Sequence, residues 1–250
     1  MRAFFLLMLA VNFGCGFVQK PAPRIEVVIP TANQEADYVW RTLQDMRFFD
    51  ERGYDVSLPT GNLIETLKKK SLDNQLSQGD FKSLKKFIRD SVYSSSAYQS
   101  GYKKAEKGAL QVENMLSKIL ESPRNWEFKV FSKYQVLLTL YGPGGSYDPD
   151  EGTVLLFTTA DGQFKQYTDP ANTLIHEITH IGMEASIMAP FDVPHGLKER
   201  IVDTFVHLNF QDQLPEYRIQ QMGDERFGEY VRTREQLSEL RSIVESFMRQ

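Results

Sequence analysis

Apolar residues recur at helix-like spacing through most of the first half of the chain. Leu63, Leu67, Leu72 and Leu76, then Phe81, Leu84, Phe87 and Ile88, recur at helix-like spacing, so Asn33 to Leu120 is expected to be mostly helical. Val112, Met115, Leu116, Ile119 and Leu120 form a further stripe that stops before Pro123. Stripes like these are surfaces that face a core. A short β-branched alternation from Arg24 to Ile29 predicts a strand ahead of the helices. Beyond Pro123 the pattern changes. Phe128, Val130, Phe131, Tyr134, Val136, Leu138 and Leu140 make Trp126 to Tyr141 strand-like. A turn-rich loop from Gly142 to Gly152 separates this stretch from a second strand candidate, Thr153 to Thr159, and the two are expected to pair antiparallel. Asp169-Pro170 reads as a cap followed by proline in the first helical position. It starts a helix from about Pro170 to Met188 that turns Leu174, Ile175, Ile178 and Ile181 inward. A second helix is expected from about Pro194 to Phe210 with Asp192 as its cap. The tail holds one or two more, with Leu237, Leu240, Ile243, Val244 and Phe247 as the apolar face. The fold class is therefore α+β: helix-rich, with a small antiparallel sheet ahead of the helix at 170–188.

Composition narrows the class of protein. With 250 residues, 41% hydrophobic and 25% charged, the chain can bury a sizeable core as one large domain or two small ones. A net charge of -4 carries no global basic excess, so nucleic acid is not an expected partner. One stretch, Thr66 to Lys107, is locally basic, with ten Lys/Arg against four Asp/Glu. It reads as a solvated helical face, or else as a surface for an anionic partner or membrane. The start of the chain differs from the rest. Arg2 precedes an apolar run from Ala3 to Val11 that is short for a bilayer span and suits an export signal. The run leads to Gly14-Cys15-Gly16, and Cys15, the only cysteine, has no partner for an internal disulfide. This arrangement resembles a bacterial lipoprotein signal, although Asn12 and Phe13 depart from the usual pattern. The resemblance implies lipidation at Cys15 and a tether to a membrane of the cell envelope. The organisation expected is a signal peptide over 1–14, lipidated Cys15 and a linker to 23, a mainly helical region 24–122, and a metal-binding region 123–250 able to form one compact domain with it.

The chemistry is concentrated near the end. All four histidines lie between 176 and 207, and His176-Glu177-Ile178-Thr179-His180 has the form H-E-x-x-H. On a helix the two imidazoles sit one turn apart on one face, where both reach one metal ion, and the glutamate between them can act on a metal-activated water. A catalytic zinc takes three protein ligands and keeps one position open. The following helix offers His195, Glu199, Asp203 and His207 four residues apart, along one stripe. Glu199 to Asp203 has the form E-x-x-x-D, and H-E-x-x-H followed by E-x-x-x-D is similar to the gluzincin, or thermolysin-like, zinc metallopeptidases. Across residues 169–207 the resemblance implies a zincin-like fold and a Zn2+ cofactor. It implies His176, His180 and Glu199 as ligands, Glu177 as general base, and Asp203 supporting His176 from behind. The metzincin pattern fails, because Met183 stands where a glycine is needed and Ser186 where the third histidine would be.

Neighbouring residues leave alternatives open. Glu184 could replace Glu199 as a ligand, but reads better as a hydrogen-bonding residue at the site's edge or facing solvent. His195 is a candidate transition-state donor, an alternative ligand or a helix-start residue. His207 and Arg200 read as structural, Arg200 in an ion pair. Tyr141, Tyr147, Tyr167, Tyr217 and Tyr230 are all candidate oxyanion donors. Asp148, Asp150 and Glu151 lack EF-hand spacing and read as turn residues rather than calcium ligands. Two functions follow. In the first, the chain is a zinc peptidase acting on a peptide or protein substrate, which could add to the strand at Thr153 to Thr159. In the second, it is a non-catalytic envelope lipoprotein in which a structural zinc, closed by a fourth ligand such as His195, holds two helices together.

Overall fold

The computed structural model describes residues 22–250. The expected signal peptide, the lipidation site Cys15 and most of the linker lie outside the described residues. β1 (Arg24–Val28) opens the described chain. Four helices follow: α1 (Ala32–Gln44), α2 (Met46–Glu51), α3 (Asn62–Leu72) and α4 (Gln78–Phe87). α5 (Gln99–Glu121) then leads back to the sheet. Capping boxes start α1 at Thr31 with Gln34, and α4 at Ser77 with Asp80, where side chain and backbone satisfy each other's free amides. The sheet continues with β2 (Lys133–Thr139), β3 (Ser146–Asp148) and β4 (Thr153–Phe157). α6 (Ala171–Met183), α7 (His195–Phe210), α8 (Phe227–Tyr230) and α9 (Leu240–Met248) complete it. The result is a helix-rich α+β fold with one small mixed sheet.

The expected antiparallel pairing is corrected. The sheet order is β1-β2-β4-β3, with β2 parallel to both β1 and β4. The loop between β2 and β4 is long enough to carry the chain past β4's position, form β3 and return in a hairpin. β4 therefore runs in the same direction as β2, and only β3 is antiparallel. Thr153–Phe157 is accordingly an interior strand, with β3 at the edge beyond it and β1 at the other edge. The strand-like stretch before residue 133 is irregular, because only Lys133–Thr139 finds a ladder.

Two cores result. Ile25 and Val27 of β1, Tyr134, Val136 and Leu138 of β2, and Val154 and Leu156 of β4 share one buried face with α5, α6 and α7. A second cluster joins Ala36, Val39, Trp40 and Leu43 of α1 to Ile64, Leu67 and Leu84. Each fully buried aliphatic side chain contributes about 1.5–3 kcal/mol. Glu35 bridges the two regions, accepting hydrogen bonds from the Leu140 amide at 3.0 Å and the Tyr98 hydroxyl at 2.7 Å. Every residue of α6 is buried, as expected of a helix that runs through the core. No helix among the described residues is long and apolar enough to cross a membrane.

Candidate metal centre

α6 begins where the Asp169 side chain accepts a hydrogen bond from the Ala171 amide at 2.9 Å. Leu174, Ile175, Ile178 and Ile181 are fully buried along it, so the helix is fixed by packing and its polar face has no freedom to turn away. It ends in a π-helical turn at Glu184–Met188 and a short 3-10 turn at Ala189–Phe191. Asp192 does not cap α7; its φ of 46° places it in the left-handed region, where it helps reverse the chain before Pro194. This reversal lays α7 against α6 and brings its polar stripe to the two histidines.

The three residues implied as ligands converge. His176 Nε2 and His180 Nε2 are 3.1 Å apart. Glu199 Oε2 lies 3.1 Å from the first and Oε1 3.3 Å from the second. Tetrahedral zinc with bonds of about 2.0–2.1 Å holds its ligand atoms roughly 3.3 Å apart, so these separations match that geometry. Among the described residues, His176, His180 and Glu199 are the only group of three or more metal-capable side chains brought together in this way.

The surroundings of His176 decide which nitrogen faces the cluster. Its Nδ1 is 3.1 Å from Asp203 Oδ1 and 2.8 Å from the Tyr217 hydroxyl oxygen. Tyr217 donates its own proton to Asp203 Oδ1 at 2.8 Å, and the Gln220 amide donates to Oδ2 at 2.8 Å. Both groups facing Nδ1 are therefore acceptors, so Nδ1 carries a hydrogen, and the Nε2 lone pair would become available to a metal once Nε2 gives up its own proton. Asp203 is fully buried, a costly position for a carboxylate that these partners make tenable. Tyr217 is thus a supporting residue behind His176 and not an oxyanion donor. Tyr167 stacks on its ring at 5.7 Å.

Electrostatics follow from this arrangement. Burial opposes a charged His176, but its bonds to Asp203 and Glu199 outweigh that cost and push the imidazole up to about 10. Burial also lowers His180. Glu199 would be raised by burial, yet the two imidazoles hold it well below the usual carboxylate range. Burial pushes Glu177 up to about 7; His176 offsets this in part and the charge of Glu199 reinforces it.

The remaining candidates are sorted by position. Tyr147, on the edge strand, stacks face to face on the His180 ring at 4.7 Å and 8°. Gly145, just before it, lies against the Glu177 carboxylate and the Thr173 methyl group. His195 is half-exposed, its Nδ1 3.8 Å from Glu199 Oε1, and stands outside the three-residue cluster. Its Nε2 faces the Tyr54 hydroxyl at 3.5 Å, and Phe48 approaches its ring edge-on. Glu184 is paired with Lys198 at 3.0 Å and is not in the cluster. Arg200, expected in an ion pair, instead donates to the Met222 carbonyl at 3.1 Å. Asp148 accepts hydrogen bonds from the Asp150 and Glu151 amides, as a turn residue does. Sequence reasoning missed Tyr54, which the helical region contributes to the site, and Gly145, which gave no signal beyond a glycine-rich turn. The chain matches no protein-family model, no curated protein sequence and no solved structure at a significant level.

Proposed function

We propose that this chain is a gluzincin-like, zinc-dependent metallopeptidase of the cell envelope. The observation that carries the reading is the convergence of His176, His180 and Glu199 beside the buried carboxylate of Glu177. A zinc ion held by these three side chains would supply Lewis-acid activation of a water molecule. Glu177 takes the proton of the attacking water and delivers it to the leaving nitrogen. His195, whose Nδ1 lies 3.8 Å from Glu199 Oε1 and whose Nε2 faces the Tyr54 hydroxyl, serves as a donor to the charge that develops on the scissile carbonyl oxygen. The outer edge of β3 offers backbone groups to an extended peptide, because β4 is interior. A structural zinc site needs a fourth protein ligand, and among the described residues the cluster has three members.

The attachment to a membrane through Cys15 rests on the sequence; loss of palmitate labelling in a Cys15→Ser variant would support it, and undiminished labelling would remove it. For the activity, the test is Glu177→Gln assayed against a peptide library alongside metal analysis. The variant should keep stoichiometric zinc and lose cleavage. A wild-type protein without zinc after metal-replete purification, or undiminished cleavage by the variant, would overturn the reading.

A further inference from the structure

A cavity of about 460 Å³ opens beside α7. Phe205 and Asn209 line it. On α7, Phe205 stands about 120° and Asn209 about 80° round the helix from Glu199. Trp126 and Leu237, with Ile119 and Pro123, supply the rest of its apolar lining. The floor is preformed: Trp126 meets Phe205 edge-on at 6.0 Å, Phe205 stacks on Phe128 at 5.8 Å, and Phe128 packs onto the backbone of α6 at Gly182. The Trp126 indole nitrogen is already satisfied by the Leu237 carbonyl at 2.8 Å, so the aromatic surface asks nothing polar of a ligand.

Two arginines flank this floor. The Arg124 guanidinium lies 5.7 Å from the Trp126 ring centre and spends one hydrogen bond on the Ser122 carbonyl. Arg234 binds Asn209 and the Ser122 hydroxyl. A guanidinium has five N–H donors, so both have donors to spare, and neither forms an ion pair among the described residues. The single carboxylate of the lining, Glu235, is held below the usual range by its own backbone amide and the Thr233 hydroxyl. Two cations and one anion leave one net positive charge, which suits a monoanion better than a phosphate dianion.

We propose that this cavity binds a small carboxylate with an apolar body. The carboxylate is held by Arg124 and Arg234, and the body lies on Trp126, Phe205 and Leu237. Fork-shaped recognition of a carboxylate by guanidinium supplies orientation, and a volume of this size is that of ordinary small-molecule sites. The carboxylate could belong to a free acid or to the C-terminus of a peptide.

Trp40 and Trp126 are the only tryptophans, so Trp40→Phe leaves Trp126 as the sole reporter. Its emission is titrated with 4-phenylbutyrate and 4-phenylbutyramide, then with N-acetylphenylalanine and its amide. Saturable binding is expected for at least one acid, about tenfold or more tighter than for its amide. A response to the first acid alone points to free acids, and a response to the N-acetyl amino acid to peptide C-termini. Arg124→Gln with Arg234→Gln should reduce acid binding to the level of the amide. If that pair does not fold, as judged by near-UV circular dichroism, Arg234→Gln alone, at an exposed side chain, should still weaken the acid selectively. Equal binding of acids and amides, or no saturation by either acid, overturns the proposal.

Discussion

Gly145 rests against the carboxylate of Glu177, and a Cβ built there collides with that carboxylate and lies 2.8 Å from the Thr173 methyl group. The glycine that precedes the edge strand therefore sets how far Glu177 can move. Gly145→Ala should displace the carboxylate without touching the ligands. Zinc content is expected to stay stoichiometric while cleavage falls by about a hundredfold, the scale of loss for a misplaced catalytic group. Metal analysis beside a steady-state assay reads both quantities. Full activity in this variant would mean that Glu177 tolerates the shift and is not positioned by β3.

Asp203 acts through His176. An Asp203→Asn substitution keeps the volume but can present an N–H where Nδ1–H needs an acceptor. Zinc affinity should fall about ten- to a hundredfold, as for other carboxylates behind metal-bound imidazoles. Tyr217→Phe should cost less, because the direct contact of Nδ1 with Asp203 at 3.1 Å survives. Competition against a fluorescent chelator orders the two variants. Equal affinities for Asp203→Asn and wild type would deny Asp203 any share in holding the metal.

The parts of this site legible in the sequence are those set by local periodicity. Spacing of four residues on a helix fixes which side chains share a face, and it placed His176 with His180 and Glu199 with Asp203. The Asp169-Pro170 cap and Pro194 put the two helix starts within a residue of Ala171 and His195, although Asp192 is not the second helix's cap. What stayed hidden depends on contacts distant in sequence. Tyr54 meets His195 across 141 positions, and nothing near Tyr54 announces the contact. Strand direction was lost for a similar reason. β3 has only three residues inside a glycine-rich loop, so the pattern looked like a turn, and with β3 unseen the two longer strands seemed free to form a hairpin.

His195 separates a donor from a ligand. Its Nδ1 is 3.8 Å from Glu199, outside the cluster, while Nε2 faces Tyr54. As a donor, His195→Ala should keep zinc and lower kcat by about a hundred- to a thousandfold. Tyr54→Phe, which removes the hydroxyl that orients the ring, should give a smaller loss in the same direction. A closed, structural site predicts the opposite pattern, with zinc affinity collapsing in His195→Ala. The comparison of kcat with chelator-competition Kd tells the two apart.

Glu35 ties the helical region to the sheet at an electrostatic cost that depends on pH. It is fully buried, one oxygen accepts from Tyr98 and Leu140, and Oε2 has no partner among the described residues. Burial, only partly offset by those hydrogen bonds, raises its pKa above 4.5. Between the unfolded value and the raised folded value, the folded chain holds more protons than the unfolded one. The group's contribution is therefore complete below pH 4.5 and is lost as pH rises through the folded value. Glu35→Gln keeps the acceptor and cannot ionise, while its amide hydrogens face the spot where Oε2 lacked a partner, a penalty that does not change with pH. Thermal unfolding of both proteins from pH 4 to pH 8 should show the difference in Tm moving in favour of the glutamine variant as pH rises. A difference that stays constant across that range would mean that the buried carboxylate carries no pH-dependent penalty and that Glu35 is accommodated in its charged form.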